Sequence, residues 1–434
     1  MAPGAVPGGA LKARPLASGL LGGSALLLVT LNLANVLHFG FHIVMARMLG
    51  PAGYGALAAL LAILYVLNVL AESMQTVVAR YASREPDPGR LHDLLRRALR
   101  KGSRATLILL AVYLAAAVPL GRWLRIPYPL MALFALSLVG VGLLPIHRGA
   151  LQGWKRFGAL GTNMILEGIV KLALGVGLVV AGAREYGAVA GVSLALCAAF
   201  AFSYPPLRDV FRAPAEPAPA PDIYRYSLPV FVATATVMGF YSLDVLLARA
   251  FFPDAAAGGY AVASFLGKSI LLGTAPVTKA MFPISTEAAA SGRSGARVLG
   301  GTLAILAACV APVLAAFAWI PDLLVRAAGG KDYAAAAGFV LPLGIAMALM
   351  SVSNALLLYR LSTGGLRGYG WLPLLIPLEA VALAMARGSL TEFAWTVAAM
   401  NGVFLVAAGA LTSRPPILRP PRTPAPAAPR SVPG

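Results

Sequence analysis

The sequence predicts an all-α integral membrane protein of about twelve transmembrane helices, built as two parallel six-helix lobes. Three observations carry that prediction. Of the 434 residues, 59% are hydrophobic and only 12% are charged, and the mean hydropathy is +0.80. A soluble domain carries about 25% charged residues, so this chain lacks the polar surface to face water. Apolar stretches near bilayer-crossing length recur from one end of the chain to the other. The chain also nearly repeats itself: Ala46-Arg47-Met48-Leu49-Gly50-Pro51-Ala52-Gly53-Tyr54 returns as Ala248-Arg249, Pro253 and Gly259-Tyr260. A second segment returns later, pairing Arg148 with Arg360, Gly153 with Gly365, Lys155 with Arg367, Gly158 with Gly370 and Glu167 with Glu379. Membrane chains made of two similar halves usually hold a transported substrate between them, so the repeat points to transport.

A Pro/Gly-rich tail, residues 1–18, precedes the first apolar run. That run, Gly19 to Ala46, is too long for a signal-peptide core and reads as a retained first span. The spans of the first half fall at roughly 19–46, 53–79, 103–124, 128–150, 160–182 and 186–207, giving a lobe at 19–207. Residues 208–225 contain Pro-Ala-Glu-Pro-Ala-Pro-Ala-Pro, which resists helix formation and reads as an extended cytoplasmic linker. The second half follows with spans at roughly 226–250, 257–283, 299–320, 334–358, 371–387 and 390–411, a lobe at 226–411. The remainder, 412–434, is Pro-rich and basic and reads as a disordered tail.

Charge placement tests this topology. The formal charge of +19 would suggest nucleic acid in a soluble protein, but membrane chains collect Lys and Arg in cytoplasmic loops. With both termini cytoplasmic, 24 of the 35 Lys and Arg residues fall in inner segments, eight in outer ones and three within spans. The inner cluster Arg80, Arg84, Arg90, Arg96, Arg97, Arg100, Lys101 and Arg104 dominates that asymmetry. Six spans per half make both halves enter from the same side, so the repeats are parallel rather than inverted.

No P-loop, Gly-rich nucleotide fingerprint or Cys/His metal spacing is present, and no cofactor or metal is implied. Cys197 and Cys309 both sit in apolar runs and read as small buried residues. The remaining chemistry lies in ionisable groups inside or at the edges of spans, which cost several kcal/mol unless they face a cavity or a partner. Glu72 lies in a polar patch of the second span. Glu167 and Lys171 stand at i and i+4 in the fifth, so they either neutralise each other on one face or serve the passage. Asp244 lies in the seventh span, Lys268 and Lys279 in the eighth and Glu379 in the eleventh. Lys268 has no carboxylate within a turn, which favours a cavity-facing role, whereas Lys279 is placed to snorkel toward the interface. Arg47 and Arg249 end the first and seventh spans. They read either as interfacial anchors or as guanidiniums flanking a cavity and suited to phosphate. His38 and His42, at i and i+4 in the first span, suit polar packing or cavity lining better than a metal, since no third ligand is near.

These residues resemble the MOP exporter superfamily, above all its polysaccharide-biosynthesis, Wzx-type flippase branch. The signatures are Ala46 through Gly55, then Gly149-Ala150-Leu151-Gln152-Gly153-Trp154-Lys155-Arg156-Phe157, and then Tyr226-Ser227-Leu228-Pro229, Asp244 and Gly259-Tyr260-Ala261-Val262-Ala263. The resemblance covers about Gly19 to Ala408. It implies two lobes around a central cavity that opens alternately to each side of the cytoplasmic membrane. The implied cargo is an oligosaccharide carried on undecaprenyl pyrophosphate, with membrane lipids and a glycan polymerase or assembly machinery as partners. Arg47, Arg249, Lys268 and Lys279 are then the expected cationic cavity groups, and Glu72, Glu167, Lys171, Asp244 and Glu379 the candidates for ion coupling or gating. The first span lacks the carboxylate that MATE-branch drug exporters often use. Two other readings compete. A MATE-like cation-coupled exporter needs acidic cavity groups, and only Glu72 and Glu167 offer them in the first half. A glycan polymerase or ligase needs a large outer loop, yet the longest, around Pro321 to Tyr333, is short and has no histidine.

Overall fold

The computed structural model describes residues 14–217, 224–290, 295–363 and 368–413. Gly365 and Arg367 of the second repeat segment lie outside them, as do residues 1–13 and 414–434 and positions 218–223 of the linker. Among the described residues the structure is helical, without strands.

The first helix, α1, runs Arg14–Ala82 and is broken at one residue, Gly50, whose φ of 68° and ψ of 176° only glycine adopts without strain. Pro51 follows, and a proline disfavours the helical region for the residue before it. The chain reverses there. His42 bonds Tyr65 at 3.2 Å, although 23 residues of straight helix would hold them about 34 Å apart. The two limbs therefore form the first pair of spans.

Helix α2, Pro88–Leu124, starts on Asp87, whose side chain accepts from the Arg90 amide, with Pro88 at the first turn. It stops at Arg125, which takes a left-handed conformation. Helices α3, Tyr128–Ala135, and α4, Ser137–Gly153, together make the fourth span. Helix α5, Phe157–Leu178, reverses at Gly182 (φ 92°) into α6, Arg184–Phe202. A short helix, α7, Arg208–Arg212, is clamped by Asp209 paired with Arg156. Beneath it a small apolar cluster of Leu91, Leu95, Ile146, Leu207 and Val210 ties α2, α4 and α7 together at the basic end of the half.

The second half contains α8, Tyr224–Phe251; α9, Asp254–Ala290; α10, Gly295–Trp319; α11, Pro321–Gly329; α12, Ala337–Ser362; α13, Leu375–Met385; and α14, Leu390–Thr412. Its core is aromatic, with Phe240 stacked on Phe404 at 4.9 Å and Phe393 set edge-on to Phe252 and Tyr260. Among the described residues nine helices are long and apolar enough to cross a membrane, and a shorter apolar stretch spans Tyr369–Met385. Two of the nine, Val29–Ala82 and Phe157–Arg212, are hairpins broken at Gly50 and Gly182. With these counted as separate legs and the shorter stretch Tyr369–Met385 added, the described residues hold the twelve expected crossings.

Two expectations are corrected. Cys309 is exposed on α10 rather than buried, and Cys197 is only partly covered, because apolar residues on a lipid-facing helix need not be packed. The segment expected as the longest outer loop is mostly ordered, as α11 followed by a 3-10 turn at Lys331–Ala336.

Candidate functional site

A cavity of about 170 Å³ lies where the halves meet. Both limbs of α1 supply Asn35, His38, His42, Tyr65 and Asn68, α5 supplies Glu167 and Lys171, and α8 and α9 supply Tyr241 and Phe265. A smaller recess of about 30 Å³ shares His42, Tyr65, Tyr241 and Phe265 and adds Lys268. Aromatic rings join the halves across it. Phe39 and His42 pack on Phe265 at 4.5 and 4.4 Å, and Tyr65 meets Tyr241 edge-on at 5.4 Å.

On the first-half wall, Glu167 does not pair with Lys171 as its helical spacing suggested. The Arg148 guanidinium, brought by α4, donates to Glu167 at 2.6 Å and to the Asn163 amide oxygen at 2.9 Å. Asn163 donates onward to the Ala199 carbonyl at 2.7 Å. A planar fork that satisfies carboxylate and amide together outcompetes a single ammonium. Lys171, 8% exposed, turns instead to His38 Nδ1 and lies over the Phe41 ring at 4.8 Å.

On the second-half wall, Lys268 finds its counter-ion on a neighbouring helix. Its ammonium donates to Asp244 Oδ1 at 3.1 Å and sits 4.7 Å from the Tyr241 ring. Asp244, 0% exposed, also accepts from Ser264 at 2.6 Å and Tyr260 at 3.2 Å. Sequence reasoning missed this pair because only the packing of α8 on α9 brings it together. The repeat held one usable signal. The spacing that carries Arg47 onto Arg249 also carries His42 onto Asp244, and each of these is bonded to a repeated tyrosine, His42 to Tyr54 at 3.0 Å and Asp244 to Tyr260. One half thus places an imidazole where the other places a carboxylate.

Glu379 is 0% exposed, and neither carboxyl oxygen has a hydrogen-bond partner among the described residues. Its repeat mate Glu167 is held by Arg148, whereas Arg360, the mate of Arg148, donates to the Leu411 carbonyl. Glu72 and Lys279 are exposed on α1 and α9 and lie close enough to interact electrostatically.

Arg47 and Arg249 do not line the cavity. Arg249, 3% exposed, donates to the carbonyls of Leu124 and Arg125 at 3.0 and 3.1 Å and to Asp254 at 3.0 Å. Arg47 donates to the Ala327 carbonyl at 2.5 Å. Both sit at the Pro51 end of the bundle. There the Tyr333 hydroxyl also donates to the Ala46 carbonyl at 2.8 Å, and Gly55 abuts Gly258. The halves are closed on each other at this end.

The model of the polysaccharide biosynthesis protein family matches residues 20–289. The chain belongs to that family. Solved structures share its fold over most of their length. An inward-facing multidrug resistance MATE family transporter of the MOP superfamily aligns at 13% identity and a TM-score of 0.70, covering 88% of this chain and 94% of its own. The lipid II flippase MurJ, in an inward closed conformation, aligns at 10% identity and 0.67, covering 88% and 86%. A MATE crystallised with MaD5 aligns at 13% and 0.62, covering 93% and 100%. No curated protein sequence matches the chain. The chain is thus a polysaccharide biosynthesis family protein with the fold of these MATE and MurJ structures, and with helices long and apolar enough to cross a membrane many times.

Proposed function

We propose that the protein flips a lipid-linked oligosaccharide, carried on a polyprenyl pyrophosphate, from the inner to the outer leaflet of the cytoplasmic membrane. The observation that carries this reading is the pairing of one cation with polar aromatic groups on each wall of the passage: Lys171 with His38, and Lys268 with Tyr241. A pyrophosphate needs cationic donors, and a sugar needs hydroxyl, amide and imidazole partners beside flat rings. Membership of a polysaccharide biosynthesis family supports the same cargo.

The cavity of about 170 Å³ is smaller than the ~300–1,000 Å³ of pockets that hold drug-sized ligands. Loading an oligosaccharide headgroup therefore requires the lobes, residues 19–207 and 226–411, to part while residues 208–225 tether them. Closure at the Pro51 end suits a state that loads from the opposite, basic end, which the positive-inside asymmetry assigns to the cytoplasm together with both termini. The intact lipid-linked glycan then lies in the outer leaflet, where a glycan polymerase acts on it. The chain itself supplies passage rather than bond chemistry.

Glu379 is the proposed coupling group. It is a buried carboxyl without a hydrogen-bond partner, beside the Asp244–Lys268 pair, so a proton or small cation arriving there meets unsatisfied acceptors. Glu72, by contrast, is exposed near Lys279 and fits a gating contact. Export of organic cations fits less well, since Glu167, the carboxylate at the cavity wall, is held by Arg148, whereas the Lys171 ammonium there is bonded to the His38 imidazole.

The test is complementation of a strain lacking its own flippase of this class. Lys171→Ala combined with Lys268→Ala is expected to lower surface glycan at least about tenfold at equal membrane expression, the effect of losing one charge-assisted contact. Undiminished surface glycan would overturn the reading.

A further inference from the structure

We propose that Arg47, Arg125 and Arg249 form a latch that holds the passage shut at the Pro51 end, and that they do not bind the transported headgroup. The proposal rests on the alternating-access reading above and deepens it.

The geometry is reciprocal. Arg249, in the last turn of α8, sends its guanidinium into the first half and donates to the Leu124 and Arg125 carbonyls, where α2 ends. Arg125, at the end of α2, sends its own guanidinium the other way. It donates to the Ala250 carbonyl at 3.0 Å and to the carbonyls of Arg249 and Phe252, where α8 ends. Each arginine thus caps the helix that carries the other. The last carbonyls of a helix lack intrahelical partners and carry partial negative charge, so a guanidinium is well matched to them. Asp254, in the first turn of α9, joins the two, accepting from Arg125 at 2.8 Å and from Arg249 at 3.0 Å.

Arg47 repeats the device across the bundle. From the end of the first limb of α1 it donates to the Ala327 carbonyl in the last turn of α11. In both halves the repeated arginine therefore reaches the helix end that leads into the fourth span of the opposite half. This gives the arginine repeat a physical reason that substrate binding does not. Arg249 Nε and Nη2 and the Arg125 guanidinium are already committed to backbone carbonyls and one carboxylate, and Arg249 is buried. All of these bonds except Arg249–Asp254 join the two halves, so they must break whenever this end opens.

The test is a distance measurement on the full chain in lipid nanodiscs without substrate. Spin labels at Tyr128 and Leu323, one in each half and both exposed, are read by double electron–electron resonance after Cys197→Ser and Cys309→Ser. The starting protein is expected to give one dominant short distance. Arg125→Gln with Arg249→Gln should raise the ratio of the longer to the shorter population at least about tenfold, as loss of several charge-assisted bonds requires. Arg249→Lys, a point charge without the fork, should restore only part of the short population. Asp254→Asn keeps both guanidiniums and should shift the ratio the same way, less far, and it decides the matter if the double variant does not fold. Unchanged distances in Asp254→Asn and in any folded arginine variant would overturn the latch. Because no substrate is present, that failure would leave the cargo assignment standing, and failure of the Lys171 and Lys268 test would leave the latch standing.

Discussion

Glu167 and Glu379 are matched by the repeat yet have different surroundings, so disturbing each should have different consequences. Glu167 is the acceptor in a buried pair with Arg148, both side chains 12% exposed. Removing one partner of such a pair leaves an uncompensated charge and costs about 3–5 kcal/mol. Arg148→Ala is therefore expected to lower the thermal unfolding temperature in detergent sharply, and adding Glu167→Gln should recover part of the loss. Glu379 has no hydrogen-bond partner to lose. Glu379→Gln is expected to change stability by less than about 1 kcal/mol, in either direction, while impairing transport; a collapse of stability would instead reveal a structural role. The helical spacing of Glu167 and Lys171 could not have disclosed this contrast. Spacing reports which residues share a face of one helix, not which arginine a neighbouring helix delivers. The cavity lysines were legible as costly intramembrane charges, but their partners His38 and Asp244 became visible only once α1 met α5 and α8 met α9.

At the scale of elements, the closed Pro51 end depends on two glycines. Gly50 breaks α1 in a conformation reserved for glycine, and nothing lies within 4 Å of where its Cβ would be. Gly50→Ala is thus expected to cost about 1–3 kcal/mol through backbone strain alone, read as a fall in melting temperature. At Gly258 the problem is space. A Cβ there would lie 1.8 Å from the Pro51 carbonyl oxygen, which belongs to the other half. Gly258→Ala should therefore spare each half but pry the closed end apart, lengthening the Tyr128–Leu323 distance as the latch variants do. An unchanged distance would mean that this contact yields without moving the halves. The twelve legs were legible because apolar runs of bilayer length are the strongest signal a membrane sequence carries. Their boundaries were less so. A single Gly-Pro step was enough to reverse α1 without a loop, and α13 reaches span length only with the 3-10 turn before it.

Across the whole molecule the repeat divides the work. The framework that the halves share, arginine, proline and glycine at the span ends, builds the closing surface between them. Of the groups they do not share, His42 and the lysines on opposite walls line the cavity and the recess beside it, and Asp244, in the place of His42, accepts from Lys268. Sequence symmetry marked both layers but could not tell them apart, since an arginine at a span end reads alike as anchor, ligand or latch. The central claim is that a pyrophosphate-linked glycan crosses between the halves. It is tested most directly by reconstituting the purified chain into vesicles loaded on one leaflet with a fluorescent polyprenyl-pyrophosphate oligosaccharide and following its exposure to an impermeant quencher or lectin outside. Protein-dependent crossing is expected, and it is lost in the Lys171→Ala, Lys268→Ala variant. Crossing no faster than in protein-free vesicles, with a lipophilic organic cation expelled instead, would contradict it.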